Sequence, residues 1–189
     1  MGGYLPSTLG GTKVTINGKN AYLNYVSPAQ INLQAPDDAG TGSVAVTVTS
    51  SSGTANATVT IQAVMPGLFT SSNQVLGVRV SDGALLPGAA VKPGDVVALF
   101  GTGLGPTSPS EPAGLAFSGA YPTTTVPAVT IGGTAATVLY CGLIGAGLYQ
   151  INLTIPGSLA VGTYPVVVTQ AGVSSPASAA VINVAASGG

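Results

Sequence analysis

The chain contains two copies of one segment, and this internal repeat limits its fold more than any other feature. Matching residues keep a fixed spacing of 120: QINL at 30–33 returns at 150–153, and Gly42, Val46, Val48 and Thr49 return as Gly162, Val166, Val168 and Thr169. Upstream, VTI at 14–16 returns at 129–131, at a spacing of 115, so the second copy carries five extra residues in between. Repetition of this kind indicates that one structural unit occurs twice.

Both copies have the pattern of short β-strands. VAVTVTS at 44–50 and YPVVVTQ at 164–170 are rich in β-branched residues, and ATVTIQA at 57–63 alternates between apolar and polar residues. Asn-Gly at 17–18 and Gly-Gly at 132–133 supply the residues that tight hairpins require. Short strands between turn signals favour sandwiches. We therefore predict an all-β fold of two tandem immunoglobulin-like β-sandwiches.

The two copies differ in what precedes them. KPGDVVALFGTGLGPT at 92–107, a turn followed by an apolar strand, stands before the second copy, whereas the first has only YLPSTLGG at 4–11. The first sandwich is therefore predicted to lack its opening strand, which leaves an edge with unpaired backbone groups. Three fillers remain open: the segment LGVRVSD at 76–82, a strand from another chain, or sequence outside this chain.

The predicted domain division follows from the repeat and its surroundings. It comprises a curtailed sandwich at 1–66, a connecting segment with a β-hairpin at 67–91, and a second sandwich at 92–186.

Charge is scarce, and this excludes several classes of function. Charged residues make up 5% of the chain, with four Lys+Arg, five Asp+Glu and no His. Nucleic-acid binding needs clustered cations, so no nucleic-acid partner is predicted. The absence of His excludes Ser-His-Asp and Cys-His catalysis. No apolar run approaches the length of about 18 residues that a membrane span needs, so no membrane insertion is predicted. The low charge and the abundance of Gly, Ser and Thr indicate a secreted protein.

The residues that carry chemistry in other proteins are interpreted here as structural. Gly101-Thr-Gly103-Leu-Gly105 follows a strand, but the prolines after it exclude a phosphate-binding helix, so it predicts a sharp corner. Asp37 and Asp38 are expected in a solvated turn, and Cys141 is expected to be buried. A cross-link between a buried Lys13 and an asparagine stays open as an alternative. We predict no catalytic, metal-binding or cofactor-binding residue, and no cofactor.

Five stretches resemble a known family: KPGDVVALFGTGLGPT, VTIGGTAATVLY, GLYQINLTIP, GTYPVVVTQAGVSSPA and MPGLFT. They resemble the repeated immunoglobulin-like domain, of unknown function, at the C-terminal ends of large secreted Acidobacteria proteins. They are also similar to bacterial surface sandwiches of the IPT/TIG type. The resemblance implies a secreted or cell-surface location and a non-enzymatic module with no catalytic residues. The chain departs from the family at Cys141, where a small residue is expected, and in its curtailed first unit.

These observations predict a non-enzymatic extracellular module with a structural or adhesive role. In the sharper form of this hypothesis, strand complementation between chains builds a filament or surface polymer. The partners would then be other copies of the chain or neighbouring domains of a larger secreted protein. The alternative is an accessory module that binds carbohydrate or protein. A polysaccharide would require exposed tyrosines beside amides, such as Tyr149-Gln150.

Overall fold

The computed structural model describes residues 3–116 and 119–186, and within those ranges every helix or strand element is a strand. The all-β class is therefore confirmed. The chain divides into two compact units. Unit 1 comprises Met1–Ala63, Ser110–Gly119 and Gly145–Gly147, and unit 2 comprises Val64–Pro109, Ala120–Ile144 and Leu148–Gly189. The predicted boundaries at 66 and 91 stay a prediction, and the contacts group the whole segment 67–91 with unit 2.

The described residues of unit 1 form seven strands: β1 (Thr8–Leu9), β2 (Thr12–Ile16), β3 (Lys19–Asn20), β4 (Tyr22–Val26), β5 (Ile31–Gln34), β6 (Gly42–Ser50) and β7 (Gly53–Ile61). They form two sheets. The first has the order β1-β2-β6-β7, with β3 paired to β2, and the second consists of β4 and β5. Leu23 and Val14 lie at the centre of the core of unit 1, at 0% and 1% exposure.

Unit 2 contains the remaining strands: β8 (Gly67–Leu68), β9 (Thr70–Ser71), β10 (Gln74–Val75), β11 (Gly77–Arg79), β12 (Leu85–Leu86), β13 (Val96–Thr102), β14 (Tyr121–Pro122), β15 (Ala128–Ile131), β16 (Thr134–Gly145), β17 (Leu148–Thr154), β18 (Gly162–Gln170), β19 (Val173–Ser174) and β20 (Val181–Val184). They follow the order β12-β11-β13-β17-β16-β15-β18-β20-β10-β9. β8, β14 and β19 pair with β13, β16 and β18. The start of β16 pairs with β15 and its end with β14, so this strand passes from one part of the sheet to another.

The strands of the two units recur at the spacings of the sequence repeat. β6 and β18 begin and end 120 residues apart, and β5 matches the end of β17. The hairpin between β2 and β3 turns on Asn17 and Gly18, both at positive φ, and its counterpart turns on Gly132 and Gly133, also at positive φ. Paired positive φ values are what a two-residue hairpin of this hand requires, so the predicted hairpins are confirmed.

The glycine-rich stretch after β13 forms the predicted corner. Gly103 has φ +73°, and a Cβ there would lie 1.9 Å from the carbonyl oxygen of Met65. The Met65 N–H donates to the Gly103 carbonyl at 3.0 Å, so the backbones are already in contact and only glycine fits. Leu104, inside the corner, is 1% exposed and packs in the core of unit 2.

The segment 76–82 does not fill the first sandwich, so this one of the three proposed fillers is wrong. Its strand β11 pairs antiparallel with β13, with Gly77 opposite Leu99, inside unit 2. The turn that follows it, with Gly83 at positive φ, joins β11 to β12 as a β-hairpin within the segment 67–91, where a hairpin was predicted. The two strands approach closely at this point, since a Cβ on Gly77 would lie 2.5 Å from the carbonyl oxygen of Ala98.

Candidate functional site

Unit 1 lacks the strand that completes unit 2. In unit 2, β17 lies between β16 and β13. Its counterpart β5 pairs only with β4 among residues 3–116 and 119–186. The first sandwich is therefore without its opening strand, as predicted, and the outer edge of β5 is open.

The missing strand changes the burial of identical side chains. Ile151 and Leu153 are 0% exposed, whereas Ile31 and Leu33, at the same positions of the first copy, are only half-buried. Two further pairs, on β18 and its counterpart β6, show the same difference: Val166 and Val168 are buried, and Val46 and Val48 are half-buried. Since the residue types match, the difference comes from the surroundings. In unit 2, Val97 and Leu99 of β13 supply the covering atoms, and both are 0% exposed.

The backbone of β5 offers unused hydrogen-bonding groups at this edge. The Leu23 N–H donates to the Pro6 carbonyl at 2.7 Å, so Leu23 directs its backbone groups away from β5. Residues opposite each other in an antiparallel pair share this property. Leu33, which lies opposite Leu23, therefore directs its N–H and C=O to the open edge. In unit 2 the matching residue, Leu153, lies opposite Val97 of β13.

A second open edge runs along β7. This strand of nine residues ends its sheet, and every residue from 53 to 60 is exposed. Val59 is 41% exposed although it lies opposite the buried Val44. In unit 2 the corresponding strand β20 is covered at its edge by Gln74 and Val91, and its Ile182 is buried.

The outer face of β4 and β5 carries an aromatic ring beside two amides. Tyr25 is 49% exposed and lies opposite Asn32. The Gln30 Nε2 donates to the Asn32 Oδ1 at 2.6 Å, which orients both amides. Further along the same face, the Gly114 N–H donates to Gln34 Oε1, and Tyr22 contacts Gly114. The uncovered part of this face is therefore the Tyr25, Gln30 and Asn32 group.

The Tyr149-Gln150 pair, which the sequence analysis named as a candidate carbohydrate site, is less accessible than the group of Tyr25, Gln30 and Asn32. The Tyr149 hydroxyl donates to the Gly105 carbonyl, and burial raises the pKa of Tyr149 to about 12. Tyr140, the counterpart of Tyr25, has a buried hydroxyl. The Gln150 Nε2 to Asn152 Oδ1 bond, at 2.8 Å, repeats the amide pair of unit 1, but both residues are half-buried.

Asp37, Asp38 and Asp82 lie in turns, where each has a hydrogen-bond or ion-pair partner. Asp38 forms an exposed ion pair with Lys19 at 2.8 Å, and Asp37 accepts the Ala113 N–H at 2.7 Å. Two hydrogen bonds from Arg79 hold Asp82 and lower its pKa to about 2, together with the Ala84 N–H. Within the described ranges no three His, Cys, Asp or Glu side chains gather as a metal site. That no residue is catalytic stays a prediction.

The burial of Lys13 and of Cys141 decides two of the sequence-based expectations. Lys13 is exposed on β2, so the cross-link that needs a buried lysine at this position is wrong. Cys141 is 3% exposed, as predicted, and burial raises the pKa of its thiol to about 11. A buried thiol with a raised pKa is a poor nucleophile.

In the part of the chain that the structure describes, no helix is long and apolar enough to cross a membrane.

Comparisons with known proteins identify no family. No protein-family model and no curated protein matches the chain. Among solved structures, it is similar to the Bacteroides ovatus mixed-linkage glucan utilization locus protein SGBP-B, solved with a mixed-linkage heptasaccharide. The sequences are 17% identical, the TM-score is 0.36, and the match covers 92% of this chain and 37% of that one. The chain thus spans just over a third of that structure, and a likeness this loose assigns no ligand.

Proposed function

We propose that the chain is a non-enzymatic, extracellular structural and adhesive module whose first unit accepts a β-strand from a neighbouring domain or chain. The observation that carries this proposal is the half-exposure of Ile31 and Leu33 beside an unpaired edge, where their counterparts Ile151 and Leu153 are 0% exposed. An added strand would gain main-chain hydrogen bonds along the edge and apolar contacts beneath it. Membership of the secreted Acidobacteria immunoglobulin-like family fits this role and is part of the proposal.

Unit 2 supplies the register for the incoming strand. There, β13 runs antiparallel to β17, with Val97 opposite Leu153 and Leu99 opposite Ile151. Transferred to unit 1, the donor places one apolar side chain opposite Leu33 and the next-but-one opposite Ile31. Among the described residues, the equivalent strand β13 is already paired on both sides within unit 2, so the proposed donor is a strand of a neighbouring domain or of another chain.

The test uses a fluorescein-labelled peptide with the sequence of residues 92–102, KPGDVVALFGT, and the full chain. Fluorescence anisotropy is expected to show saturable binding. A peptide with Asp at the positions of Val97 and Leu99 should not bind, since a charge cannot enter the apolar core unpaired.

Two chain variants locate the binding. Leu33→Asn removes an apolar contact from the open edge and should weaken binding about tenfold or more, an energy of about 1.4 kcal/mol. Val126→Asn alters a side chain in unit 2 that is 62% exposed and should leave binding unchanged. Failure of the peptide to bind the unmodified chain, or equal weakening by both variants, would overturn the proposal.

A second function, binding of a neutral polysaccharide, is favoured by one observation. Tyr25 presents an exposed ring beside the paired amides of Gln30 and Asn32, with the amides held at 2.6 Å. Aromatic surface with a few oriented polar groups suits a sugar ring. The expected site is this face of unit 1, and the ligand class is uncharged because the three side chains carry no charge.

Affinity electrophoresis in gels containing a soluble neutral β-glucan or a soluble mannan tests this second function. Retardation of the unmodified chain should be lost in Tyr25→Ala. It should persist in Phe69→Ala, which removes another exposed aromatic ring, in unit 2. Unretarded migration of the unmodified chain in both gels, or equal loss in the two variants, contradicts carbohydrate binding here.

A further inference from the structure

We infer that β7 is a self-pairing edge through which two copies of the chain join antiparallel, related by a two-fold axis at Ala57. β7 is the last strand of its sheet, and each residue from 53 to 60 is exposed. This interface uses a different edge from β5, so it stands or falls independently of the strand acceptor.

The direction of the free hydrogen-bonding groups follows from the adjacent strand. The Asn17 N–H donates to the Ala45 carbonyl at 2.8 Å, so Ala45 of β6 directs its groups away from β7. Thr58 lies opposite Ala45 and must therefore point to the open edge. Since bonding alternates along an antiparallel strand, Thr54, Asn56 and Thr60 point the same way. Four residues thus offer backbone donors and acceptors to a partner.

A two-fold axis at Ala57 matches all four of these residues. It places Thr54 opposite the partner's Thr60 and Asn56 opposite the partner's Thr58. Each is a pair that exchanges two backbone hydrogen bonds. The axis must pass through a residue whose backbone groups bond to β6. Only then do the residues whose backbone groups point to the open edge lie opposite one another across the interface.

The side chains on both faces of β7 agree with this register. On the outer face, Thr meets Thr and Asn meets Thr, pairs that form cross-strand hydrogen bonds. On the inner face, Ala55 meets the partner's Val59 and Ala57 meets its own copy. Val59, 41% exposed in the single chain, would lose solvent contact there. A shift by one residue would place apolar side chains beside polar ones.

β7 also lacks the features that prevent edge pairing. Its sequence, GTANATVTI, has no charge and no proline, so a second copy brings no repulsion. In unit 2 the corresponding region includes Pro176 between β19 and β20, and β10 and Val91 already cover β20. The partner that fits β7 is therefore a second β7, and the product is a closed dimer rather than an open filament.

Cysteine cross-linking of the full chain tests the axis directly. All variants carry Cys141→Ala, which removes the native thiol. In Ala57→Cys, the two introduced cysteines form a non-hydrogen-bonded pair across the interface. Their Cα atoms are about 4.5 Å apart, a distance within the range for a disulfide. In Ala55→Cys, the matched control, the two cysteines lie about four residues apart along the sheet, roughly 13 Å. Mild oxidation should convert Ala57→Cys to a covalent dimer at least tenfold faster than Ala55→Cys.

Two further measurements complete the test. The double variant Ala55→Cys/Val59→Cys should regain cross-linking, because residue 55 faces the partner's residue 59. Thr58→Pro removes an outward N–H without touching the bonds to β6, and edge strands tolerate proline at such positions. We expect sedimentation equilibrium to detect a concentration-dependent dimer for the unmodified chain, and Thr58→Pro should abolish it. A monomer at all concentrations, or equal cross-linking of Ala55→Cys and Ala57→Cys, would overturn the inference.

Discussion

The two units share a sequence repeat, and only unit 2 has a sealed core. Ile151 and Leu153 are 0% exposed, and their identical counterparts Ile31 and Leu33 are half-buried. The local sequence is the same, so the difference arises from β13, which unit 2 has and unit 1 lacks. An apolar residue contributes to stability only through the atoms that cover it. The repeated sequence therefore encodes most of a sandwich, and the opening strand completes its core.

The largest expected difference in stability is between alanine substitutions at two equivalent isoleucines, one in each unit. Ile151→Ala should lower the free energy of unfolding of unit 2 by about 2–5 kcal/mol, because it leaves a cavity in a closed core. Ile31→Ala should cost unit 1 less, about 1 kcal/mol, since that side chain is only partly buried and its removal leaves no closed cavity. Urea unfolding followed by circular dichroism measures both. Equal losses would mean that unit 1 is as well covered as unit 2.

Replacing an equivalent hairpin glycine should cause a smaller loss of stability, and the loss should be the same in both units. Gly18 and Gly133 occupy equivalent hairpin positions at φ +76° and φ +81°, and a Cβ added at either would meet no atom of a non-adjacent residue within 4 Å. Alanine at either position should cost about 1–2 kcal/mol, the strain of a left-handed backbone. The hairpins do not depend on the opening strand, so the two losses should agree. Thermal unfolding of both variants checks this, and a clear difference would show that unit 1 departs from unit 2 beyond its open edge.

The smallest effect concerns acid stability. Hydrogen bonds from Arg79, helped by the Ala84 N–H, lower the pKa of Asp82 from 3.8 to about 2. A carboxyl with a lowered pKa in the folded state stabilises it above the unfolded value, near pH 4, and this stabilisation is lost as the pH falls toward 2. The Tm of the unmodified chain should fall over that window, and Asp82→Asn should reduce the fall. Because the pair is exposed, high salt should weaken the effect.

The parts of the fold that depend on local pattern were predictable from the sequence. The repeat, the hairpin at Asn17-Gly18 and the corner at Gly103 follow from spacing and from residues that tolerate positive φ. The buried position of Cys141 followed from its apolar neighbours.

Pairing between distant segments was not predictable in the same way. The sequence left three fillers for unit 1, and the pairing of β11 with β13 brings together segments about 20 residues apart, with Gly77 opposite Leu99. The alternation in β7 predicted a strand, but it did not predict that Val59 would be 41% exposed. Tyr25 and Tyr140 occupy equivalent positions, so the greater exposure of Tyr25 could not be read from the repeat. The motif Gln-x-Asn beside it, present in both copies, was the available signal.

The most direct test of the open edge is hydrogen exchange at two equivalent backbone amides, Leu33 and Leu153, followed by NMR on the full chain. The Phe100 N–H donates to the Leu76 carbonyl, so the alternate residues of β13, including Val97, face β17 and can hold the Leu153 N–H. We predict strong protection at Leu153 and exchange close to the unprotected rate at Leu33. Equal protection at the two amides would contradict the account, because the edge of β5 would then already be paired.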